Sequence, residues 1–359
     1  MPATPWILWQ RRWQSAGVRD LMTTITIANI PHWGILRSAA ERTMPTGPNI
    51  SLGEAQKAVR DLKRYALSAA YHVKALTELD AGDALPAVIV DRAGWVESNA
   101  IGMQHVIEFV QKESSFLDPL GDRAGAIQAG LALGWASGKV LGQYESFTQP
   151  GRLLLVAPNI VKTERALKVK PRDFRMWVCL HEETHRVQFG AVPWMQQYFL
   201  DLIAEFVQAS RLPNQELVVR VARIVYELAR RSDASILELV QSNEQKEVYH
   251  KISALMTLLE GHADYIMDLG GPRLIPSVAT IREGFEAKRD QNKGFVSHLL
   301  GMNEKLDQYR NGAAFVRESV QHLGMSGFNH VWDSPESLPT LTEIANPKQW
   351  RTRISKTLT

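Results

Sequence analysis

The 359-residue chain has a single cysteine, Cys179, so no disulfide can form within it. A metal site, if present, must then be built from imidazole and carboxylate rather than thiolate, and a reducing, cytoplasmic location is the simplest expectation. An excess of charge is also missing. Lys and Arg number 41 against 38 Asp and Glu, a formal +3. Nucleic acid is therefore excluded as the main partner, because phosphate binding needs a concentrated basic face. No uninterrupted apolar run is long enough to read as a membrane span. The nearest stretch, Gly121 to Gln143, is broken by Gln128, Ser137 and Lys139 and reads as a soluble core helix. Repeats, heptad arrays and low-complexity segments are lacking too. What remains is 45% hydrophobic and 22% charged, a balance that supports a sizeable core and excludes wholesale disorder.

Residues 1–50 read as a polar, Pro-containing lead-in, and residues 51–359 as one large domain. Trp6, Trp9 and Trp13 recur at helical spacing with Arg11 and Arg12 behind them. That charge order is the reverse of a secretory signal. The segment is expected to pack on the core or to precede a start at Met22. Stable membrane insertion is not expected, while weak surface association of these tryptophans stays open.

Ser51 and Glu54 form a capping-box pattern that opens a helix over about 52–79. Ala87 to Val90 reads as a short strand ahead of a turn at Gly94, and Leu153 to Ala157 as a second, buried strand. Gly130, Gly134, Gly138 and Gly142 recur every four residues, which predicts one helical ridge closely approached by another helix. Pro171 suits the first turn of a further helix. Helical patterns follow over 196–210, 214–232 and 245–269. The Pro- and Trp-rich tail from Asn329 is expected to wrap over the body. The fold class is mainly α with a few short strands.

The chemistry lies on the helix that Pro171 opens. Phe174, Trp177, Val178, His181, His185 and Gln188 share one face, which runs from apolar into two imidazoles. His181 and His185, at i and i+4, can reach one ion. Glu182 lies to the side, where it can take a proton from a water at that ion. His-Glu-x-x-His is short, so a third ligand matters. Leu259-Glu260-Gly261-His262-Ala263-Asp264 supplies a candidate on a second apolar helix, 75 positions after His185. Glu260 can complete a His, His, Glu set for zinc. Asp264, one turn on, can accept the free N–H of a ligating imidazole and fix its orientation. Gly261 and Ala263 are small and would let the two helices approach closely. His262 competes as a ligand but lies about 200° around the helix from Glu260.

These residues carry a resemblance. His-Glu-x-x-His followed by Glu-x-x-x-Asp on a later helix resembles the gluzincin branch of zinc metallopeptidases. More closely, the chain resembles a bacterial zincin-like hydrolase family known as zinc-dependent metalloproteases and associated by context with biosynthesis of a deazaflavin coenzyme. The matching segments are Val156 to Ile160, Trp177 to Phe189, Val192-Pro193-Trp194, Leu259 to Tyr265, Phe328 to Trp332 and Leu338-Pro339-Thr340. They spread over most of the chain from Ser51 onward. The resemblance implies zinc, a zincin-like helical core and hydrolase chemistry, but no substrate. The spacing of 75 exceeds that of the small gluzincins, and helical insertions near 196–250 account for it.

The expected reaction is amide hydrolysis, with His181, His185 and Glu260 holding zinc and Glu182 as general base. Tyr265, Tyr309, His330 and Arg282 are candidates for stabilising the oxyanion. The expected partner is a peptide or a small amide. The alternatives are a non-proteolytic zinc hydrolase of a small amide metabolite and a catalytically degenerate zincin acting as an interaction scaffold. The scarcity of strands weighs against a peptidase, which should offer a strand edge to a peptide. Intact Glu182 weighs against the scaffold. Nothing in the sequence sets an oligomeric state.

Overall fold

The computed structural model describes residues 13–16, 32–113, 123–148, 150–209, 242–292 and 306–357. Helix α1 covers Trp33–Thr43, α2 Leu52–Thr77, α3 Arg92–Glu113 and α4 Arg123–Ala136. Helix α5 covers Ala157–Leu167, α6 Pro171–Ala191, α7 Met195–Gln208 and α8 Asn243–Leu274. Helix α9 covers Val278–Asn292 and α10 Leu306–Phe328, and the tail ends in α11 (Leu341–Ala345) and α12 (Pro347–Thr357). Three short strands, β1 Val88–Val90, β2 Gly142–Glu145 and β3 Arg152–Val156, complete a mainly α fold. The pattern over 214–232 lies outside the described residues. Among the described residues, no helix is long and apolar enough to cross a membrane.

The sheet has the order β1-β3-β2, with β1 parallel to β3 and β2 antiparallel to it. Successive side chains on a strand face opposite sides. Leu153 and Leu155 accordingly enter the main hydrophobic cluster, with α2, α6 and α8. Leu154 and Val156 enter a second cluster with α1, α3 and α4. Residues 33–43, read from sequence as part of a lead-in, thus form a helix with its own core. Trp13 is fully buried in the main cluster.

Helix α2 begins as expected, with both halves of the Ser51–Glu54 capping box formed. The turn expected at Gly94 is instead the first turn of α3. Asp91 caps it, with its Oδ1 accepting from the Gly94 N–H at 2.8 Å.

The glycine ridge is only half a ridge. A Cβ at Gly130 would stand 2.2 Å from the Leu36 carbonyl oxygen, and one at Gly134 2.1 Å from that of Ala40, so α4 and α1 meet backbone to backbone. The helix then stops at Ala136. Buried Asn159 donates from Nδ2 to the carbonyls of Ser137 (2.7 Å) and Val140 (2.6 Å), which holds the chain in a turn. Gly138 lies in that turn against Pro45, and Gly142 lies in β2.

Helix α6 packs between α2 and α8 and beneath β2 and β3. Pro171 sits in its first turn, where its missing N–H costs nothing. Buried Arg175 forks onto Glu164 of α5 (2.9 and 2.6 Å) and reaches Asp61 of α2 (2.9 Å), fixing the rotation of α6 between them. Asp173 accepts from the backbone N–H and the hydroxyl of Ser277, tying α6 to the segment that leads into α9. The close approach expected of Gly261 is made to α10, not to α6. A Cβ there would stand 2.3 Å from the carbonyl carbon of Gly312. The tail wraps the α8–α10 pair, with Trp350 fully buried against Phe315 and Phe328.

Candidate metal centre

Helix α6 presents His181 and His185 one turn apart, and α8 brings Glu260 against them. Nε2 of His185 lies 3.1 Å from Nε2 of His181. Oε2 of Glu260 lies 3.6 Å from Nε2 of His181, and Oε1 lies 3.5 Å from Nε2 of His185. Donors bound to one tetrahedral zinc at about 2.0–2.1 Å stand about 3.3–3.4 Å apart. The three contacts, which use one carboxylate oxygen for each imidazole, bracket that value, and two imidazole nitrogens with a carboxylate are donor types that zinc takes. Among the described residues, these three form the one group of His, Cys, Asp or Glu able to hold a metal ion. No described cysteine joins them. Cys179 is buried among apolar residues, and burial pushes its thiol far above its ordinary value.

The electrostatics suit a cation. Burial alone would lower the His185 imidazole. Glu260, with support from Glu182 and Gln188, outweighs burial and lifts it to about 9. The acidic surroundings that hold a proton there would equally favour a dication at the same nitrogens. Trp177 stacks on His181 with a ring separation of 6.4 Å and on Phe285 of α9 at 5.2 Å, so one wall of the site is aromatic.

Glu182, 8% exposed, lies between the His pair and the sheet. A Cβ at Gly142 would stand 2.6 Å from Glu182 Cγ and 2.9 Å from its Oε1. The edge strand therefore rests directly on the carboxylate, and only glycine leaves room for it. The flexible Glu182 side chain can yield to an added methyl, so Gly142→Ala should fold and leave the His181, His185 and Glu260 cluster in place while displacing the Glu182 carboxylate. We expect a kcat loss of about 10-fold or more, short of the 10²–10⁴ that removal of a general base costs. Steady-state kinetics beside zinc analysis checks this, and an unchanged kcat would show that the contact is idle.

Sequence reasoning missed one member of the site. The Nδ1 of His185 lies 2.8 Å from Oε1 of Gln188, so that partner is an amide rather than Asp264. Gln188 is fully buried, as is His262, and the two touch at 3.0 Å. Burial drives the His262 imidazole down to about 3, which keeps it neutral between Gln188 and the rings of Phe328 and Trp332. It is outside the donor set, as its angle on the helix predicts. Gln188 falls on the metal-facing side at i+7 from His181, the one local signal that could have marked it.

The other candidates are more scattered. Asp264 is partly exposed one turn beyond Glu260, and its carbonyl accepts from Arg282 at 3.3 Å. Arg282 also pairs with Asp268 at 2.6 Å. Tyr265 is partly buried, and burial raises its phenol. His330 sits in a 3₁₀ turn with its Nδ1 2.7 Å from Asp333. The side chain of Tyr309 lies outside the described residues.

The chain as a whole has relatives. A crystal structure from Chloroflexus aurantiacus, described as "a putative hydrolase with a novel fold", is 28% identical and superposes with a TM-score of 0.62, covering 90% of this chain and 98% of that one. No curated protein matches the chain. The family model for zincin-like metallopeptidases matches residues 32–350, from the first residue before α1 to the middle of α12. With that match spanning both helices of the candidate site, the chain belongs to the zincin-like metallopeptidase family.

Proposed function

We propose that the protein is a zinc-dependent hydrolase that cleaves an amide bond in a peptide, with His181, His185 and Glu260 as metal ligands and Glu182 as general base. The observation that carries this reading is the convergence of His181, His185 and Glu260 from two helices, with one ligand atom of each within 4.8 Å of the others and a buried carboxylate beside them. When bound there, zinc would supply a Lewis acid for the carbonyl oxygen and a lowered pKa for the attacking water. Glu182 takes the proton from that water and hands it to the departing nitrogen. Gly142 leaves the carboxylate the space to do so. Asp264, one turn past Glu260 on α8, is the carboxylate this reading assigns to orient a ligating imidazole. Tyr265 is the candidate oxyanion donor on that same helix.

The sheet supports a peptide over a small amide despite its size. Strand β2 is an edge strand that passes over Glu182, and an edge offers backbone donors and acceptors to an extended chain. A small amide metabolite is the second reading, favoured by side chains of His181, His185 and Glu260 that are only 11–14% exposed. Profiling the zinc-loaded protein against peptide and small-amide libraries separates the two. Cleavage confined to extended peptides is expected, and cleavage of small amides alone would replace the peptidase reading.

A further inference from the structure

The buried hydrogen bonds behind His185 follow a fixed proton order. The Leu259 carbonyl can only accept, so the atom of the Gln188 amide that faces it, at 2.9 Å, is the nitrogen. The amide oxygen is thereby turned toward His185, 2.8 Å from Nδ1. That oxygen can only accept, so Nδ1 of His185 carries a hydrogen. The second Gln188 N–H points at Nδ1 of His262, 3.0 Å away, which receives it through its lone pair. Both hydrogens and the oxygen of the amide are thus engaged by groups from α6 and α8. Gln188 and His262 are fully buried, so water does not compete for these bonds.

We propose that Gln188 is a positioning residue for the metal: held in one orientation by Leu259 and His262, it locks His185 with Nδ1 protonated and presents Nε2 to the ion. The inference rests on the metal reading given above and adds to it the device that selects the ligating nitrogen. A ligating imidazole usually gives its other N–H to a carboxylate, a backbone carbonyl or water. Here an amide takes that place. Its oxygen orients the ring without adding a third carboxylate to Glu260 and Glu182. Its nitrogen meanwhile pins the amide to the helix that carries Glu260. The ring orientation of one ligand is therefore tied to the helix that supplies another.

The test compares two substitutions of similar size in the full-length protein, with zinc alone as the probe and a competing chelator to read affinity. Gln188→Met loses the acceptor at His185 and both donors. Gln188→Glu keeps an acceptor at His185 and loses the donors to Leu259 and His262. If Gln188 acts through His185, the Met variant binds zinc about 10–100-fold more weakly, and the Glu variant, which keeps the acceptor but loses the anchoring donors, falls between it and wild type. Equal weakening in both variants would reduce Gln188 to a strut between helices and overturn the proposal. So would wild-type affinity in the Met variant. Should the variants not fold, wild-type protein carrying ¹⁵N-labelled histidine and loaded with zinc still decides. A slowly exchanging Nδ1 proton on His185 is expected, and one that exchanges freely with water overturns the proposal. A wild-type chain that takes up no zinc would instead bring down the metal reading itself.

Discussion

Replacing Glu182 by glutamine is expected to cut amide hydrolysis by about 10²–10⁴-fold while leaving one zinc per chain. The two side chains have the same shape, so the amide fits the space that Gly142 leaves in β2. Glu182 is not in the donor set, whose atoms come from His181, His185 and Glu260. The substitution therefore removes the proposed proton acceptor and little else. The fall should appear in kcat, because a base is used in the transition state and contributes little to binding the ground state. Hydrolysis at the wild-type rate with zinc retained would show that the proton goes elsewhere.

Glu260→Ala should act earlier, on the metal. Two imidazole nitrogens 3.1 Å apart remain, but the one anionic member of the cluster among the described residues is gone. A ligand bound to the native state alone stabilises it by about 2.7 kcal/mol at one hundred times its Kd. The wild type should therefore melt at a higher temperature when zinc is added, and Glu260→Ala should lose that response. The measurement is a pair of melting curves for each protein, with zinc and with chelator. An undiminished zinc-induced rise in the variant would remove Glu260 from the site.

The cluster of His181, His185 and Glu260 was legible in the sequence because the rule that joins the two imidazoles is local. Residues four apart share a helix face in any context. Glu260 could be reached because apolar residues flank it, which marks a carboxylate that enters a core. The missed features depend on contacts distant in sequence. The role of Gln188 is set by Leu259 and His262, more than seventy residues away. The end of α4 is set by the side chain of Asn159, which binds carbonyls 22 and 19 residues before it. No stop signal is written between Gly134 and Gly142, so the four-residue glycine spacing looked like one ridge. Gly142 is the consequence. Read as helix packing, it proves to be the gap in the edge strand that accommodates the Glu182 side chain. The partner of Gly261 was misjudged for the same reason, since nothing near it names α10.

Zinc-edge anomalous diffraction from crystals of the full-length protein tests the central claim most directly. The account predicts one anomalous peak per chain, bonded to Nε2 of His181, Nε2 of His185 and a carboxylate oxygen of Glu260 at about 2.0–2.2 Å. A zinc peak elsewhere, or these three side chains empty in crystals grown with excess zinc, would contradict it.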